Sequence, residues 1–176
     1  MNITRRLNST LPYLFGEEVD YFANLELEDG AFIVFLGYGP GLMALALYES
    51  AGWDKYNSFA VDTTNFTGLE HITLLPFTVN SIIPMRMTTD QASEVLMGEY
   101  DAIFVDANHS YESVKRDIQN WASKVRSNGI LFFHDYIPQE SDAPDNGVKQ
   151  AVNEWDKEGF ELESQIGSAI IFRRTH

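Results

Sequence analysis

The chain has 176 residues, of which 44% are hydrophobic and 22% are charged, and its formal net charge at pH 7 is −14. These values are typical of one soluble globular domain. So acidic a chain argues against a nucleic-acid partner and against an anionic membrane surface, because both require a cationic footprint. The absence of cysteine excludes disulfides and thiolate catalysis, and it argues against a structural zinc site.

The N-terminal segment has no apolar run long enough for a signal peptide. No stretch of the chain approaches the roughly 20 consecutive apolar residues that a membrane-spanning helix needs. We therefore expect a single domain over residues 1–176, with residues 1–29 as an N-terminal extension that carries a short helix over Glu17–Leu25. The expected location is cytoplasmic, without membrane association.

A glycine-rich loop follows the first apolar run. Residues 31–36 are continuously apolar, as expected of a central parallel strand, and residues 42–50 are good helix formers. Between them lies Gly37-Tyr38-Gly39-Pro40-Gly41. Glycines in this position let the backbone approach a ligand, and the free amides of the following helix lie behind it.

An acidic residue ends the next predicted strand, Asn57–Val61. This residue, Asp62, follows Gly37 at close to the spacing of roughly 20 residues at which an acid meets ribose hydroxyls in nucleotide-binding βαβ units. Residues 63–80 show no clear pattern. The sequence therefore favours a nucleotide-type site, although a turn or helix-cap role for Asp62 stays open.

An extended segment and a short helix are predicted next. Pro84 within Ser81–Met87 indicates an edge or bulged strand, because proline cannot donate to a sheet ladder. Thr89 and Asp90 are candidate caps of a helix over Gln91–Met97.

A second βαβ unit organises the C-terminal half. Strands are predicted at Asp101–Val105 and Ile130–Phe133, joined by an amphipathic helix over Tyr111–Lys124 that Asn128-Gly129 is expected to stop. Such strands are parallel neighbours, and ligands bind at their carboxyl ends. We therefore expect the polar residues that follow the two strands to meet at one rim: Asp106, His109, His134 and Asp135.

The last elements are a helix over Gly147–Lys157 and a hairpin of strands Phe160–Ser164 and Ser168–Arg173. The alternation of strands and helices predicts a doubly wound, mostly parallel α/β sheet, and the hairpin adds antiparallel strands at its end.

The segments FVDANHSYESVKRDIQNW, NGILFFHDY, GVKQAVNEW and GSAIIFRR resemble the class I S-adenosylmethionine-dependent methyltransferases, and more narrowly the small-molecule O-methyltransferase-like branch called methyltransferase family 24. Ala107 stands where that family commonly has glycine. An acid usually lies two positions before the first glycine of its cofactor loop, and Phe35 occupies this position here. The resemblance implies a Rossmann-like methyltransferase fold, S-adenosylmethionine as cofactor and these cofactor-binding residues: Gly37, Tyr38, Gly39, Gly41, Asp62, Thr63, Thr89, Asp90 and Asp106.

Two routes to activation of an acceptor hydroxyl are open. A divalent cation held by Asp106 and Asp135, with His134 as a further candidate ligand, could lower the hydroxyl pKa. The resemblance implies Mg²⁺ at such positions in related O-methyltransferases. Alternatively His109 could act as general base, together with Asp106 as a catalytic residue, and His134 could be a second base instead of a ligand. Each of the four side chains could instead have a purely structural role, with the carboxylates capping backbone amides at the strand ends.

The leading hypothesis is O-methylation of a small molecule or a sugar hydroxyl. The second is a non-catalytic binding or assembly domain of the same fold, which Phe35 and the short N-terminal segment favour. A second subunit could supply the lid over the acceptor, which makes a homodimer a further hypothesis. A nicotinamide-dependent oxidoreductase fits poorly, because the loop is Gly-x-Gly-x-Gly instead of Gly-x-Gly-x-x-Gly and no separate substrate domain is present.

Overall fold

The computed structural model describes residues 16–39, 41–52, 55–63, 81–137 and 146–176. Predictions for residues 1–15 and 64–80, and for most of the loop after Ile137, lie outside these described residues. The helices are α1 Gly16–Asn24, α2 Leu42–Ala51, α3 Thr89–Val95, α4 Tyr111–Trp121 and α5 Val148–Glu154. The strands are β1 Phe32–Leu36, β2 Asn57–Asp62, β3 Ile82–Arg86, β4 Tyr100–Val105, β5 Val125–Phe133, β6 Phe160–Ile166 and β7 Ala169–Arg174.

All seven strands form one sheet in the order β3-β2-β1-β4-β5-β7-β6. The first five strands pair in parallel, and β7 is antiparallel to both β5 and β6. The predicted doubly wound sheet with a C-terminal antiparallel hairpin is therefore confirmed. Strand β3, which contains Pro84, lies at an edge of the sheet, where a missing backbone donor costs little.

Two apolar layers cover the sheet. Along β1, Ile33 and Phe35 face the layer that holds α1 and α2, whereas Val34 and Leu36 face the layer that holds α3, α4 and α5. Helix α1 belongs to this core, since its Val19 and Phe22 are buried. Strands covered on both faces explain the continuously apolar runs in the sequence. None of the described helices is long and apolar enough to cross a bilayer.

Three predicted helices have boundaries that were wrong by two residues or more, and strand β5 begins at Val125 instead of the predicted Ile130. Helix α4 ends at Trp121 and continues as a 3₁₀ turn to Lys124, and Asn128-Gly129 does not stop it. These two residues instead lie within β5, where the pairing register with β4 shifts and Asn128 has a φ of +62°. An Asn-Gly pair can provide a helix stop or an irregular strand, and the local pattern does not distinguish them.

The second wrong boundary is that of α3. Thr88, one residue before the predicted cap, forms a capping box in which its hydroxyl accepts from the Gln91 amide while the Gln91 side chain accepts from the Thr88 amide. The third is that of α5, which is shorter than predicted and ends at Glu154.

Candidate active site at the carboxyl edge of the sheet

A cleft of about 570 Å³ lies at the carboxyl ends of the parallel strands. It is bordered by the loops that follow β1, β2 and β4, and by the beginning of α3 and the first turns of α4. This is the edge at which open α/β sheets bind ligands. Seven of the residues predicted to bind cofactor line the cleft: Gly37, Gly39, Asp62, Thr63, Thr89, Asp90 and Asp106.

The glycine loop is joined to its two neighbouring strands by backbone hydrogen bonds. The Gly37 amide donates to the Val61 carbonyl at 2.9 Å, and the Asp106 amide donates to the Leu36 carbonyl at 2.8 Å. Gly37 has a φ of +80°, and a β-carbon there would meet the backbone of Asp106. Glycine is therefore required at position 37 by conformation and by space.

Asp62 holds the other side of the loop. Its carboxylate Oδ2 accepts a hydrogen bond of 3.0 Å from the Gly39 amide. Asp62 thus stabilises the loop conformation and also faces the cleft. A structural role at the turn and a role in binding a ligand are therefore compatible.

The remaining two predicted loop residues, Tyr38 and Gly41, do not line the cleft. Tyr38 is buried and packs edge-on against Phe35. Phe35 is 1% exposed and stacks on Phe104 of β4 at a ring-centroid distance of 5.0 Å. The position that usually carries an acid in the resembling family is therefore part of the apolar core in this chain.

One end of the cleft is formed by the start of α3 facing α4. Asp90 accepts a 2.9 Å hydrogen bond from the Asn120 amide group and lies 3.5 Å from Nε of Arg116. Asp117, which the sequence analysis missed, lines the cleft and is 2% exposed. Burial raises its pKa to about 6, although a hydrogen bond with Thr89 acts in the opposite direction.

A signal for Asp117 was present in the sequence. Val114, Ile118 and Trp121 define the buried face of α4, and position 117 lies on the same face, because residues three and four apart are neighbours on a helix. An acid on an apolar face indicates a buried carboxyl group and hence a candidate functional residue.

At the other end of the rim, the four predicted polar residues come together. His109 bridges the two carboxylates, with Nε2 at 3.3 Å from Oδ1 of Asp106 and Nδ1 at 3.4 Å from Oδ2 of Asp135. On the inner side, Nδ1 of His134 lies 3.4 Å from Oδ1 of Asp106 and 3.2 Å from Oδ1 of Asp135. Asp135 has a left-handed φ of +51°, a conformation that aspartate tolerates better than most residues.

The segment that carries His109 is fixed to the start of α5. The Gly147 amide donates to the His109 carbonyl at 2.7 Å, and Ser110 forms a β-bridge with Asn146. A β-carbon at Gly147 would lie 2.4 Å from the Tyr111 amide nitrogen, so the two segments are in close contact. This contact positions the imidazole of His109 over the rim.

A second missed residue, Glu18 of α1, lies directly behind His134. Its carboxylate is fully buried, and Oε2 lies 3.3 Å from Nε2 of His134. Oε1 accepts hydrogen bonds from the Ser168 amide at 2.8 Å and from the Ser168 hydroxyl at 2.9 Å. The sequence predicted helix α1, but no local pattern indicated which of its acids would reach the sheet.

The carboxylates and imidazoles shift one another's protonation. Burial disfavours the charged ring of His134, but the surrounding carboxylates outweigh it and raise its pKa to about 12. Hydrogen bonding to Asp106 raises the pKa of His109. Burial favours the neutral acid at Asp106, yet hydrogen bonds from both histidines hold its pKa below the usual value. The carboxylates therefore favour the protonated form of both imidazoles, most strongly that of His134.

These residues fit a divalent cation. One ligand atom from each of Asp106, His134 and Asp135 lies within 4.8 Å of the other two. Nδ1 of His134 is buried and faces one carboxylate oxygen of Asp106 and one of Asp135. The other ring nitrogen, Nε2, faces the carboxylate of Glu18. Support of one nitrogen by a carboxylate is the usual arrangement of a metal-binding histidine.

Comparisons with known proteins identify the family and the fold of the chain. A family model described as a methyltransferase domain matches residues 34–136, which is more than half of the chain. No curated protein matches the sequence.

Among solved structures, one described as a caffeoyl-CoA O-methyltransferase from Staphylococcus aureus is similar with a TM-score of 0.73 and 15% identity, covering 100% of this chain and 93% of that one. One described as an rRNA methylase from Clostridium thermocellum has a TM-score of 0.72 and 13% identity, covering 95% and 98% of the two chains. One described as an O-methyltransferase from Klebsiella pneumoniae has a TM-score of 0.67 and 13% identity, covering 98% and 95%. At these identities the structural similarity establishes only the fold. The family follows from the family model that matches residues 34–136. The chain therefore belongs to the class I S-adenosylmethionine-dependent methyltransferases and, within them, to methyltransferase family 24.

Proposed function

We propose that this protein transfers a methyl group from S-adenosylmethionine to a hydroxyl group of a small molecule. The observation that carries the proposal is the continuity of the cleft: the glycine loop and Asp62 lie along it, and Asp106 belongs both to the cleft and to the acid–histidine cluster at the rim. A donor bound along the loop would therefore present its reactive end to groups able to activate an acceptor.

The charges of the cleft support a cationic donor. Among the residues that the structure describes, its lining contains one guanidinium, that of Arg116, and four carboxylates, those of Asp62, Asp90, Asp106 and Asp117. S-adenosylmethionine carries a sulfonium charge that its demethylated product lacks. An acidic cleft thus favours the donor over the product and aids product release.

Acceptor activation is assigned to the rim. His109 lies at the outer side of the cluster, half-buried, and is the candidate general base that receives the proton of the acceptor hydroxyl. Asp106 and Asp135 hold its ring in place. Asp106, His134 and Asp135 would hold a divalent cation, which when bound would lower the pKa of a hydroxyl at the same rim.

The acceptor class is part of the proposal. The net charge of −14 and the acidic cleft favour a small neutral or cationic acceptor over a nucleic acid. Some solved structures of the same fold are described as rRNA methylases, so RNA is the second acceptor class to test. The cytoplasmic location and the homodimer stay predictions.

The burial of Phe35 favours a second candidate function, a non-catalytic binding domain that retains the fold. Without an acid at this position, the amino-acid end of the cofactor lacks the partner that it has in the resembling family. The two functions differ in one measurable property, because only a methyltransferase must bind the donor and turn it over.

The test is titration calorimetry with S-adenosylhomocysteine on the wild type, Asp62→Ala and Asp29→Ala. Asp29 is exposed at a turn and pairs only loosely with Lys55 at 3.8 Å, so its variant controls for the loss of one negative charge. We expect micromolar binding in the wild type and the control, and at least a tenfold loss in Asp62→Ala. No binding in the wild type would reject the methyltransferase.

Turnover is measured with tritiated S-adenosylmethionine in two parallel assays. One offers a set of small hydroxyl compounds, including catechols and sugars, and the other offers total RNA. Tritium in the small-molecule fraction supports the proposed function. Tritium found only in RNA would show that the acceptor is RNA and not a small molecule. Binding of the product without any turnover would favour the non-catalytic domain.

A further inference from the structure

Glu18, in a helix outside the residues that the family model matches, contacts the candidate metal ligand His134 directly. Its carboxylate is fully buried, and three donors surround it: the amide and hydroxyl of Ser168 and Nε2 of His134. A carboxylate so deeply buried is stable only when its oxygens are satisfied. Glu18 is therefore held in one orientation, with Oε2 against the imidazole.

The hydrogen-bond pattern determines which ring nitrogen of His134 carries a proton. Nε2 faces Oε2 of Glu18, which can only accept, and the hydroxyl oxygen of Ser168 at 3.3 Å. That hydroxyl already donates its proton to Oε1 of Glu18, so it too accepts from the ring. Both neighbours thus require a proton on Nε2. In the neutral ring the lone pair is then on Nδ1, which faces Asp106 and Asp135.

We propose that Glu18 is a positioning residue that fixes His134 in the Nε2-protonated form, so that Nδ1 binds the cation and the site prefers imidazole-binding divalent ions such as Mn²⁺ and Zn²⁺ over Mg²⁺. This inference rests on the proposed function in assuming that the rim holds a cation. Two carboxylates alone suit Mg²⁺, and an imidazole donor shifts the preference toward transition metals.

Packing around Glu18 supports a fixed orientation. Gly167 has a φ of +51°, and a β-carbon there would lie 2.7 Å from Oε1 of Glu18. Any larger residue at position 167 would displace the carboxylate. The neighbouring Glu17 accepts a hydrogen bond from the Gly167 amide at 3.3 Å but is exposed, whereas Glu18 is buried against His134. It is therefore a matched control on the same helix.

The informative variant is Glu18→Gln, which keeps the volume of the side chain. The new amide oxygen can accept from Ser168, and the amide nitrogen then faces Nε2 of His134. Because that nitrogen only donates, it favours the opposite form of the ring, with the proton on Nδ1. The variant therefore removes the metal-binding lone pair without removing any proposed ligand.

The experiment measures Mn²⁺ and Mg²⁺ binding by calorimetry without cofactor, in the wild type, Glu18→Gln and Glu17→Gln, with thermal unfolding as the check of folding. We expect the wild type and Glu17→Gln to bind Mn²⁺ more tightly than Mg²⁺. Glu18→Gln should lose about 10- to 100-fold in Mn²⁺ affinity and less in Mg²⁺ affinity. A purely structural role would lower the melting temperature and leave the Mn²⁺-to-Mg²⁺ ratio unchanged, and this result would overturn the proposal.

A second measurement does not depend on the variant folding. Long-range nitrogen–proton spectra of the wild type identify the protonated ring nitrogen of His134, and titration with diamagnetic Zn²⁺ should shift Nδ1 and leave the proton on Nε2. A proton on Nδ1 in the Zn²⁺ complex, or no Zn²⁺ binding, would refute the inference. Because neither assay contains cofactor, their failure is distinct from failure of the methyltransferase, which product binding and turnover decide.

Discussion

The α-carbon of Gly37 lies against the backbone of Asp106, so closely that a β-carbon would be placed 2.0 Å from the Asp106 carbonyl oxygen. The loop that is expected to cradle the cofactor and the segment that begins the acid–histidine cluster therefore touch directly. The Leu36 carbonyl and the Asp106 amide add a hydrogen bond of 2.8 Å at the same place. A change in one loop must displace the other, and under the proposed function this contact would couple donor binding to acceptor activation.

Gly37→Ala should disable both functions together. The methyl group cannot fit beside Asp106, and alanine is strained at a φ of +80°. We expect a loss of about 2 to 4 kcal/mol in the free energy of unfolding, measured by denaturant titration, and loss of S-adenosylhomocysteine binding. Gly39→Ala is the matched control, since Gly39 also has positive φ but no atom within 4 Å of its β-carbon. Equal stability losses in both variants would contradict the close contact.

Asp117→Asn should change how stability depends on pH. The folded protein holds the Asp117 proton more tightly than the unfolded chain, because the pKa is raised from 3.8 to about 6. Its stabilising contribution is therefore fully present below the unfolded pKa and is lost as pH rises through the folded pKa. A shift of this size corresponds to about 3 kcal/mol. Relative to the wild type, the asparagine variant should become progressively more stable from about pH 4 to pH 7.

Denaturant unfolding at pH 4, 5, 6 and 7 tests this dependence on wild type and variant, with Asp29→Asn measured in parallel to account for the loss of one negative charge. If the stability difference between Asp117→Asn and the wild type were constant over this range, the raised pKa of Asp117 would be wrong.

His109→Gln should separate binding from chemistry. The ring of His109 contacts Asp106 and Asp135 at the outer side of the cluster and does not line the cofactor cleft. We therefore expect S-adenosylhomocysteine affinity to stay within about twofold, while kcat with an accepted substrate falls about 10²- to 10⁴-fold, the usual contribution of a general base. His176→Gln, an exposed histidine, serves as control. Unchanged kcat would leave activation of the acceptor to the cation alone.

Phe35→Glu should not create a better cofactor site. The side chain points into the apolar layer and stacks on Phe104, so a carboxylate there would be buried without a partner. We expect a loss of at least about 3 kcal/mol in stability or failure to fold. Phe35→Leu, the apolar control, should cost less and preserve S-adenosylhomocysteine binding. A folded glutamate variant with tighter binding would show that position 35 can reach the cofactor.

The sequence predicted much of the fold, and it also predicted that the polar residues after β4 and β5 lie together. Parallel strands end at the same edge of a sheet, so two apolar runs that each end in an acid suffice to place Asp106 beside Asp135. The periodicity of α4 and the edge position indicated by Pro84 were equally local signals. In each case a short stretch of sequence is enough to predict the local structure.

The features that were missed depend on packing between distant segments. Glu18 reaches His134 only because α1 lies over the sheet next to the turn before β7, and nothing in the sequence around position 18 specifies that neighbour. The irregular pairing at Asn128-Gly129 likewise depends on β4. Phe35 was interpreted by comparison with a motif, whereas its environment is set by Phe104 across the strands.

The hydrogen bond between Glu18 and Ser168 joins residues separated by 150 positions. During synthesis from the N-terminus, α1 and both central strands emerge long before the turn that carries Ser168. A nascent chain can therefore form most of its sheet while the imidazole of His134 still lacks its oriented support. If Glu18 has the role proposed here, the turn that carries Ser168 completes the support of His134, and the rim reaches its final arrangement only after that turn has been synthesised.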